Sequence, residues 1–285
     1  RASQLEQQGL DLRPQIGARP ASILMSLEGT INPLAIYPSY KAIRSLPIEE
    51  QVKLLRDPSF RAKLKSDTPR HHRNRDARRF TTSFDEMYPL DEAMTYEPTQ
   101  ADSIQGLADS THRHHLEVLM DVLADRQPIL FFFGGYPGDL NQQFSLLNHE
   151  RSVFGLSDGG AHCGVLCDAS VPTYMLSYLT RDRTRGDTMP LEFIVNQMTQ
   201  STASVYGLHD RGVITEGYQA DLNLIDYDEL TLEAPEMVFD LPSNGKRLIQ
   251  RARGYTATIS HGKVTFEDGE PTGQMPGRLV RGGRL

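Results

Sequence analysis

The sequence predicts an α/β chain: part of a β/α barrel followed by a β-rich tail. Three observations carry this. The apolar run Pro128-Ile129-Leu130-Phe131-Phe132-Phe133 ends at Gly134-Gly135 and reads as a buried strand of a parallel sheet. A helical stretch, Asp139 to Leu147, and a second strand, Val153 to Leu156, follow it. Strand, helix, strand within about 28 residues is a β/α unit. From residue 212 the pattern changes to strands separated by Gly and Asp turns, with no further βα unit. Finally, Ser3 to Gly9 reads as the end of a helix closing on a glycine C-cap, and Leu12 to Pro20 as a strand and turn. That is how a chain looks when entered inside a β/α barrel. The expected division is a partial barrel over 1–211, with an inserted helical and loop excursion at about 41–127, and a β-rich subdomain over 212–285.

Between these landmarks the elements are expected in order. Residues 12–40 carry a strand and then a loop from Asn32-Pro33 to Tyr37-Pro38. Ile48, Val52, Leu54, Leu55, Phe60 and Leu64 then recur at helical spacing. Residues 56–79 hold nine Arg or Lys against three Asp, read either as an anion-attracting lid or as a helical excursion with solvated charges. Residues 80–102 look strand-like and acidic, and 103–126 look like one amphipathic helix. His112, His114 and His115 on that helix lack the i,i+4 spacing of a metal pair and read as surface residues. Helices are expected again from Tyr174, from Leu191 behind Pro190, and from Thr202 to Tyr206, where Gly207 stops the last.

Composition narrows the class. Mean hydropathy is −0.44, and no apolar run approaches the roughly 18 residues of a membrane span. A net charge of −7 argues against a general nucleic-acid binder. Two cysteines, Cys163 and Cys167, are too few for a disulfide framework and read as small core thiols in a reducing cytosol. The expectation is therefore a cytoplasmic protein that uses neither membrane nor nucleic acid and acts on a small molecule.

The segment Gly155-Leu156-Ser157-Asp158-Gly159-Gly160-Ala161-His162 follows the second strand. An Asp at a strand's C-terminal end sits at the edge where barrel enzymes do their chemistry. It can ligate a divalent metal or take a proton from a bound water. Ser-Asp-Gly is equally a turn in which Asp bonds backbone N–H groups, so both readings of Asp158 stand.

Further motifs decide how that segment is read. Gly212-Val213-Ile214-Thr215-Glu216-Gly217-Tyr218-Gln219-Ala220-Asp221, continuing to Asp226, resembles the G-x-I-x-x-G-x-x-A-D-x-x-x-x-D signature of amidohydrolase-superfamily enzymes. Gly254 to Val264, with its His261-Gly262 turn, resembles the strand pair that follows it. Asp210-Arg211-Gly212, Asp240-Leu241-Pro242, Lys246-Arg247-Leu248 and Pro276 to Arg281 are similar to the D-aminoacylase branch, the N-acyl-D-amino-acid deacylases. The resemblance is dense from about Arg151 to Arg281. The family's opening elements are missing: no His-x-His follows an apolar strand.

The resemblance implies the C-terminal part of a (β/α)8 metal-dependent hydrolase barrel, with a β-sandwich tail completed by N-terminal strands. It implies hydrolysis of an amide, the deacylation of N-acyl-D-amino acids, with Zn²⁺ as cofactor, one ion or two. Asp158 matches the family's final-strand Asp, as metal ligand and proton shuttle. Most other ligands are expected upstream of residue 1, so activity needs the N-terminal part of the same enzyme, as a second chain or a removed segment. A homo-oligomer is also expected. An N-acyl amino acid keeps a free carboxylate, which Arg binds bidentately. Arg19 is the candidate, its other reading being an ordinary ion pair; Arg181, Arg183 and Arg185 are alternatives that read as a solvated loop. His162 is a candidate to bond substrate or to orient Asp158, or simply a satisfied neighbour. Tyr136 is a candidate pocket residue, as is Tyr37. Three other functions stay open: a non-catalytic fragment or subunit serving assembly, a hydrolase of another N-acyl or cyclic amide, and a binding module for an acidic small molecule.

Overall fold

The computed structural model describes residues 4–280, apart from 6, 92–93, 133–135, 137, 156 and 158–160. The opening helix end closes as expected: Gln8 N–H and Leu10 N–H both donate to Leu5 O, and Gly9 takes a φ of +80°. Strands β1 (Gln15–Gly17) and β2 (Ser22–Met25) follow. The expected loop at 32–38 is instead a 3₁₀ turn, Pro33–Ile36, that runs into helix α1 (Pro38–Ile43). Asn32 caps the turn through Leu34 N–H, and Pro38 opens the helix at a position where its missing N–H costs nothing.

The helical excursion then unfolds as α2 (Ile48–Arg56), α3 (Pro58–Ser66) and α4 (Arg75–Thr82). Asp57 ends α2 and caps α3 at Phe60 N–H. The strand-like stretch at 80–102 is mostly not strand. It keeps only β3 (Met87–Pro89), between 3₁₀ turns at Phe84–Glu86 and Gln100–Asp102. The single amphipathic helix expected at 103–126 is two: α5 (Ile104–Ser110) and α6 (His115–Ala124). The break has local causes. His112 adopts φ +51°, and the His114 side chain accepts from Leu116 N–H as an N-cap. The basic run is not a free anion-attracting lid. Arg61 pairs with Asp121 (2.6 Å) and Lys65 with Glu117, both on α6, while Arg79 pairs with Glu86.

Strand β4 (Ile129–Phe132) is buried along its whole length, as its sequence predicts. The parallel sheet expected of it is corrected by its pairing. β4 lies between β2 and β3 and is antiparallel to both. Its two faces are dry because both are covered. Ile129 and Phe131 join the core under α2, α5 and α6, while Leu130 and Phe132 pack with Tyr88, Leu24 and Tyr136 on the other side. Two-sided burial, not strand direction, is what a continuous apolar run records.

Helix α7 (Asn141–Leu147) leads to β5 (Val153–Gly155), which joins β1 rather than β4. This pair is parallel, in the register Gln15↔Val153 to Gly17↔Gly155. A second core forms around it, from Phe154, Tyr174, Leu179, Ile194 and Leu230. It is covered by α8 (Val171–Ser177), α9 (Leu191–Asn196) and α10 (Thr202–Val205), with π turns after α8 and α9.

The described elements from Leu222 onward are strands, apart from one 3₁₀ turn at Pro242–Asn244. β6 (Leu222–Ile225), β11 (Tyr255–Ser260), β12 (Lys263–Glu267) and β13 (Glu270–Pro271) form an antiparallel sheet in the order β13-β12-β11-β6. β7 (Thr231–Leu232) pairs with β10 (Ala252–Arg253), and β8 (Glu236–Leu241) with β9 (Gly245–Ile249). The segment after residue 160 stitches this tail to the α/β part. Leu24 N–H donates to Val165 O at 2.8 Å, Leu248 N–H to Cys163 O at 2.6 Å, and Lys246 Nζ to Glu28 O at 2.7 Å. No helix among the described residues is long and apolar enough to cross a membrane.

Candidate functional site

Because β1 and β5 are parallel, their C-terminal ends share one edge. Arg19 lies two residues past β1, and Ser157 two past β5. Ser157 borders a cleft of about 410 Å³ with Phe154, Met175 and Thr202. Asp158, the residue singled out for metal and proton chemistry, lies outside the described residues. His162 is described: it is exposed, at φ +55°, and its carbonyl accepts from Val165 N–H (2.8 Å) and Leu166 N–H (3.0 Å).

Arg19 is built into the wall of a second cleft. One Nη donates to Cys167 O at 2.9 Å and to Asp168 Oδ1 at 3.2 Å; the other reaches Ser170 Oγ at 3.2 Å. The guanidinium also lies over the Tyr174 ring, 5.9 Å from its centroid. So the ion pair foreseen as the plainer reading of Arg19 exists, and it holds the guanidinium at a cleft rather than on the surface. The cleft's apolar wall comes from the central sheet (Leu24, Leu130, Phe132) and from Leu90, Met94 and Val165. Ser22, Tyr96, Asp168 and Gln250 are among the polar groups that line it with Arg19, and Gln250 comes from the β-rich tail. Cys167 lines it too. Burial pushes its thiol up to about 11 against the pull of Arg19, so at neutral pH it is a neutral thiol and no nucleophile.

Tyr136 stacks on Phe132 (4.3 Å between centroids) and meets Tyr88 edge-on. It therefore backs a ring of the cleft wall. Tyr37 is buried in the helical core. The arginine loop is not uniformly solvated. Arg183 is buried and grips Glu97 through Nε (2.8 Å) and Nη2 (3.0 Å), both side chains being only 1% exposed. Glu97 also accepts from Tyr178 Oη at 2.8 Å and Leu140 N–H at 2.7 Å. Burial alone works to raise the Glu97 carboxyl, but the bonds from Arg183, Tyr178 and Leu140 outweigh it and hold the group below its usual range. Arg181 spends its guanidinium on Asp182 and on carbonyls at 227–230, and Arg185 reaches Glu97 O.

Tyr96, Glu97 and Gln250 were not singled out in the sequence. Among the described residues, no group of three or more His, Cys, Asp or Glu side chains is placed to hold a metal ion. The described part of the site is thus a largely apolar cleft with one fixed cation, Arg19, ion-paired to Asp168.

Comparison with known proteins adds a family to this geometry. The model of the amidohydrolase family matches residues 35–266. The chain belongs to the amidohydrolase family. The chain is 35% identical over 96 residues to an N-acyl-D-aspartate deacylase of Alcaligenes xylosoxydans xylosoxydans, a stretch covering 33% of this chain and 17% of that protein. It is also similar to two solved structures. One is a D-aminoacylase said to define a novel subset of amidohydrolases, at 21% identity over 66% of this chain and 36% of that one, with a TM-score of 0.39. The other is an N-acyl-D-glutamate deacylase from Bordetella bronchiseptica complexed with zinc and a phosphonate inhibitor, at 20% identity over 66% and 37%, with a TM-score of 0.36. The matches cover well under half of the length of each of these proteins.

Proposed function

We propose that this chain is the C-terminal part of a metal-dependent amide hydrolase that deacylates N-acyl amino acids, with the D series as first substrates. The observation that carries the reading is the Arg19 cleft. An N-acyl amino acid presents one carboxylate beside apolar groups, and the cleft offers one fixed guanidinium beside an apolar wall. Membership of the amidohydrolase family and the stretch similar to an N-acyl-D-aspartate deacylase support it. In this reading Arg19 anchors the carboxylate and sets the amide's direction. Asp158, three residues after β5 in the sequence, takes a proton from the attacking water and returns it to the leaving amine. His162 bonds substrate or orients Asp158. Zn²⁺, one ion or two, supplies Lewis acidity when bound; the described residues offer no cluster for it, so Asp158 and ligands from an N-terminal part, in the same or a second chain, would complete its site. In that arrangement residues 1–211 belong to the barrel and 212–285 to the tail.

The test is amine release from N-acetyl-D- and N-acetyl-L-amino acids by the full natural protein loaded with Zn²⁺. Asp158→Asn is expected to lower kcat at least about 100-fold, the low end for loss of a general base, with the melting temperature unchanged. Turnover near wild type in an unfolding-prone variant would make Asp158 a turn residue. No turnover of any N-acyl or cyclic amide would sink the whole reading. A second reading, in which the chain serves assembly, draws on the tail sheet, where Leu224 is 54% and Phe266 45% exposed. Sedimentation as a monomer that hydrolyses nothing would leave neither reading standing.

A further inference from the structure

His112, His114 and His115 crowd the junction between α5 and α6, and the hydrolase reading uses none of them. His114 caps α6: its Nδ1 accepts from Leu116 N–H at 3.1 Å. A ring nitrogen that accepts a hydrogen bond carries no proton. The side chain is exposed, so a proton can reach it. Protonating Nδ1 turns the acceptor into a donor aimed at another donor, and α6 loses its cap.

His115, the first residue of α6, is packed on two sides. Its ring stacks on Phe84 at 4.0 Å and 22°, and lies 4.3 Å from the His114 ring. Burial first, and the nearness of His114 second, push its imidazole below the ordinary histidine range. Neutral His115 therefore stabilises the fold fully above the ordinary range, and that contribution is lost as pH falls through it. Two charged rings here would repel each other and would both face the positive end of a helix.

The surrounding charges are largely committed. On α3, Arg61 pairs with Asp121 and Lys65 with Glu117; Arg113 also pairs with Asp121. Lys65 chiefly holds the Glu117 carboxyl below its usual range, so Glu117 stays ionised and favours a charged His114. On the turn that carries Phe84, Glu86 is paired with Arg79 and Asp85 is exposed. At the end of α5, Asp109 is exposed and its carbonyl accepts from His112 N–H. Glu117 thus draws a proton to the ring whose protonation breaks the cap.

We propose that the α5–α6 junction is an acid-sensitive latch: protonating His114 withdraws the acceptor that caps α6, and repulsion from His115 then drives the first turn of α6 open. Opening frees Leu116 from the core and loosens the Lys65–Glu117 tie to α3, while Arg61–Asp121 lies further along α6 and holds. Helix α6 packs on one face of β4, whose other face walls the Arg19 cleft, so the latch sits one layer behind that cleft.

The readout must be local, because His72 and His149 accept from backbone N–H groups in the same way elsewhere. Hydrogen–deuterium exchange of the full natural protein is followed by peptide between about pH 7.5 and about pH 5.5, across the ordinary histidine value, each rate taken against the unstructured rate at that pH. Wild type should lose protection over residues 114–119 by roughly fivefold, the worth of one helix N-cap. Residues 121–124 should hold theirs. His114→Asn and His114→Ser keep a capping oxygen that does not titrate in this window, and both should stay level. His115→Phe keeps a ring on Phe84 and the cap at His114 but removes the second charge, and should lose less than wild type. Level protection in wild type overturns the proposal, as does a loss in the two His114 variants equal to that of wild type. A full loss in His115→Phe overturns it too, and so does a wild-type loss spread evenly along the chain, which is general acid unfolding.

Discussion

Replacing Arg183 by Met tests the clamp that fixes the cleft. Arg183 donates twice to Glu97, once to Asp187 O (2.8 Å) and once to Asn141 Oδ1 (2.8 Å), and its guanidinium lies 3.9 Å from the Phe144 ring centroid. Methionine keeps an apolar stem over Phe144 but removes every donor. Glu97, 1% exposed, is left with Tyr178 Oη and Leu140 N–H as its side-chain partners. Removing one partner of a buried pair costs about 3–5 kcal/mol, because the other charge stays buried. At roughly 2–4 °C per kcal/mol for a chain of this size, the melting temperature should fall by roughly 6–20 °C. Adding Glu97→Gln removes the stranded charge while still offering an oxygen to Leu140 N–H. The double variant should regain about 2 kcal/mol relative to the sum of the single ones, since the two sites share one network. Thermal melts followed by circular dichroism on the four proteins give the cycle. A loss below about 1 kcal/mol in Arg183→Met, or strict additivity in the double variant, would refute the clamp.

Two further outcomes follow from the same fold. The Glu97 carboxyl is held below the ordinary glutamate range, so its contribution is fully present above that range and is lost as pH falls through the lowered folded value. Melting temperature should therefore decline more steeply below pH 4.5 in wild type than in Glu97→Gln, and parallel curves would contradict this. Gly254 has φ +94°, and a Cβ there would lie 2.7 Å from Leu230 Cα. Gly254→Ala should cost about 1–3 kcal/mol in chemical denaturation, whereas Gly262→Ala, at φ +70° in open space, should cost less; equal costs would show that backbone contact at Gly254 is relieved cheaply.

What the sequence discloses of this protein follows from what each signal physically reports. The apolar run at 129–132 reports dryness on two faces, and β4 is dry on two faces. It carries nothing about direction, which depends on β2 and β3, strands formed from residues 22–25 and 87–89. Helical spacing runs unbroken through residues 103–126 because Leu107, Leu116 and Leu119 all face the core; the break at 111–114 rests on the left-handed backbone of His112, which spacing does not register. The strand pattern after residue 212 is local, set by hairpin turns such as His261-Gly262, and was legible. Arg19 stands out in the sequence because it follows a strand, and the fold places it in a cleft wall. Glu97 and Arg183 do not stand out, because each looks like a surface charge until the other is brought beside it. Tyr96 had no signal in the sequence beyond being aromatic; its place in the cleft wall beside Arg19 and Gln250 comes from the fold.

The pairing of β1 with β5 has a consequence for how this chain reaches its shape. Residue 15 meets residue 153, and the entire helical excursion and the β2-β4-β3 sheet lie within the loop that this contact closes. Closing a loop costs little more for each doubling of its length, about 0.6 kcal/mol, but contacts this distant in sequence are slow to be found. The helices of the excursion bury Leu55, Leu64, Leu119 and Leu123 among themselves and against β4, so they can consolidate before the distant strands meet. The edge that brings Arg19 beside the end of β5 is then a late product of folding. A cell that makes this protein at a temperature where that last step lags would accumulate a species with ordinary helix content and no working cleft.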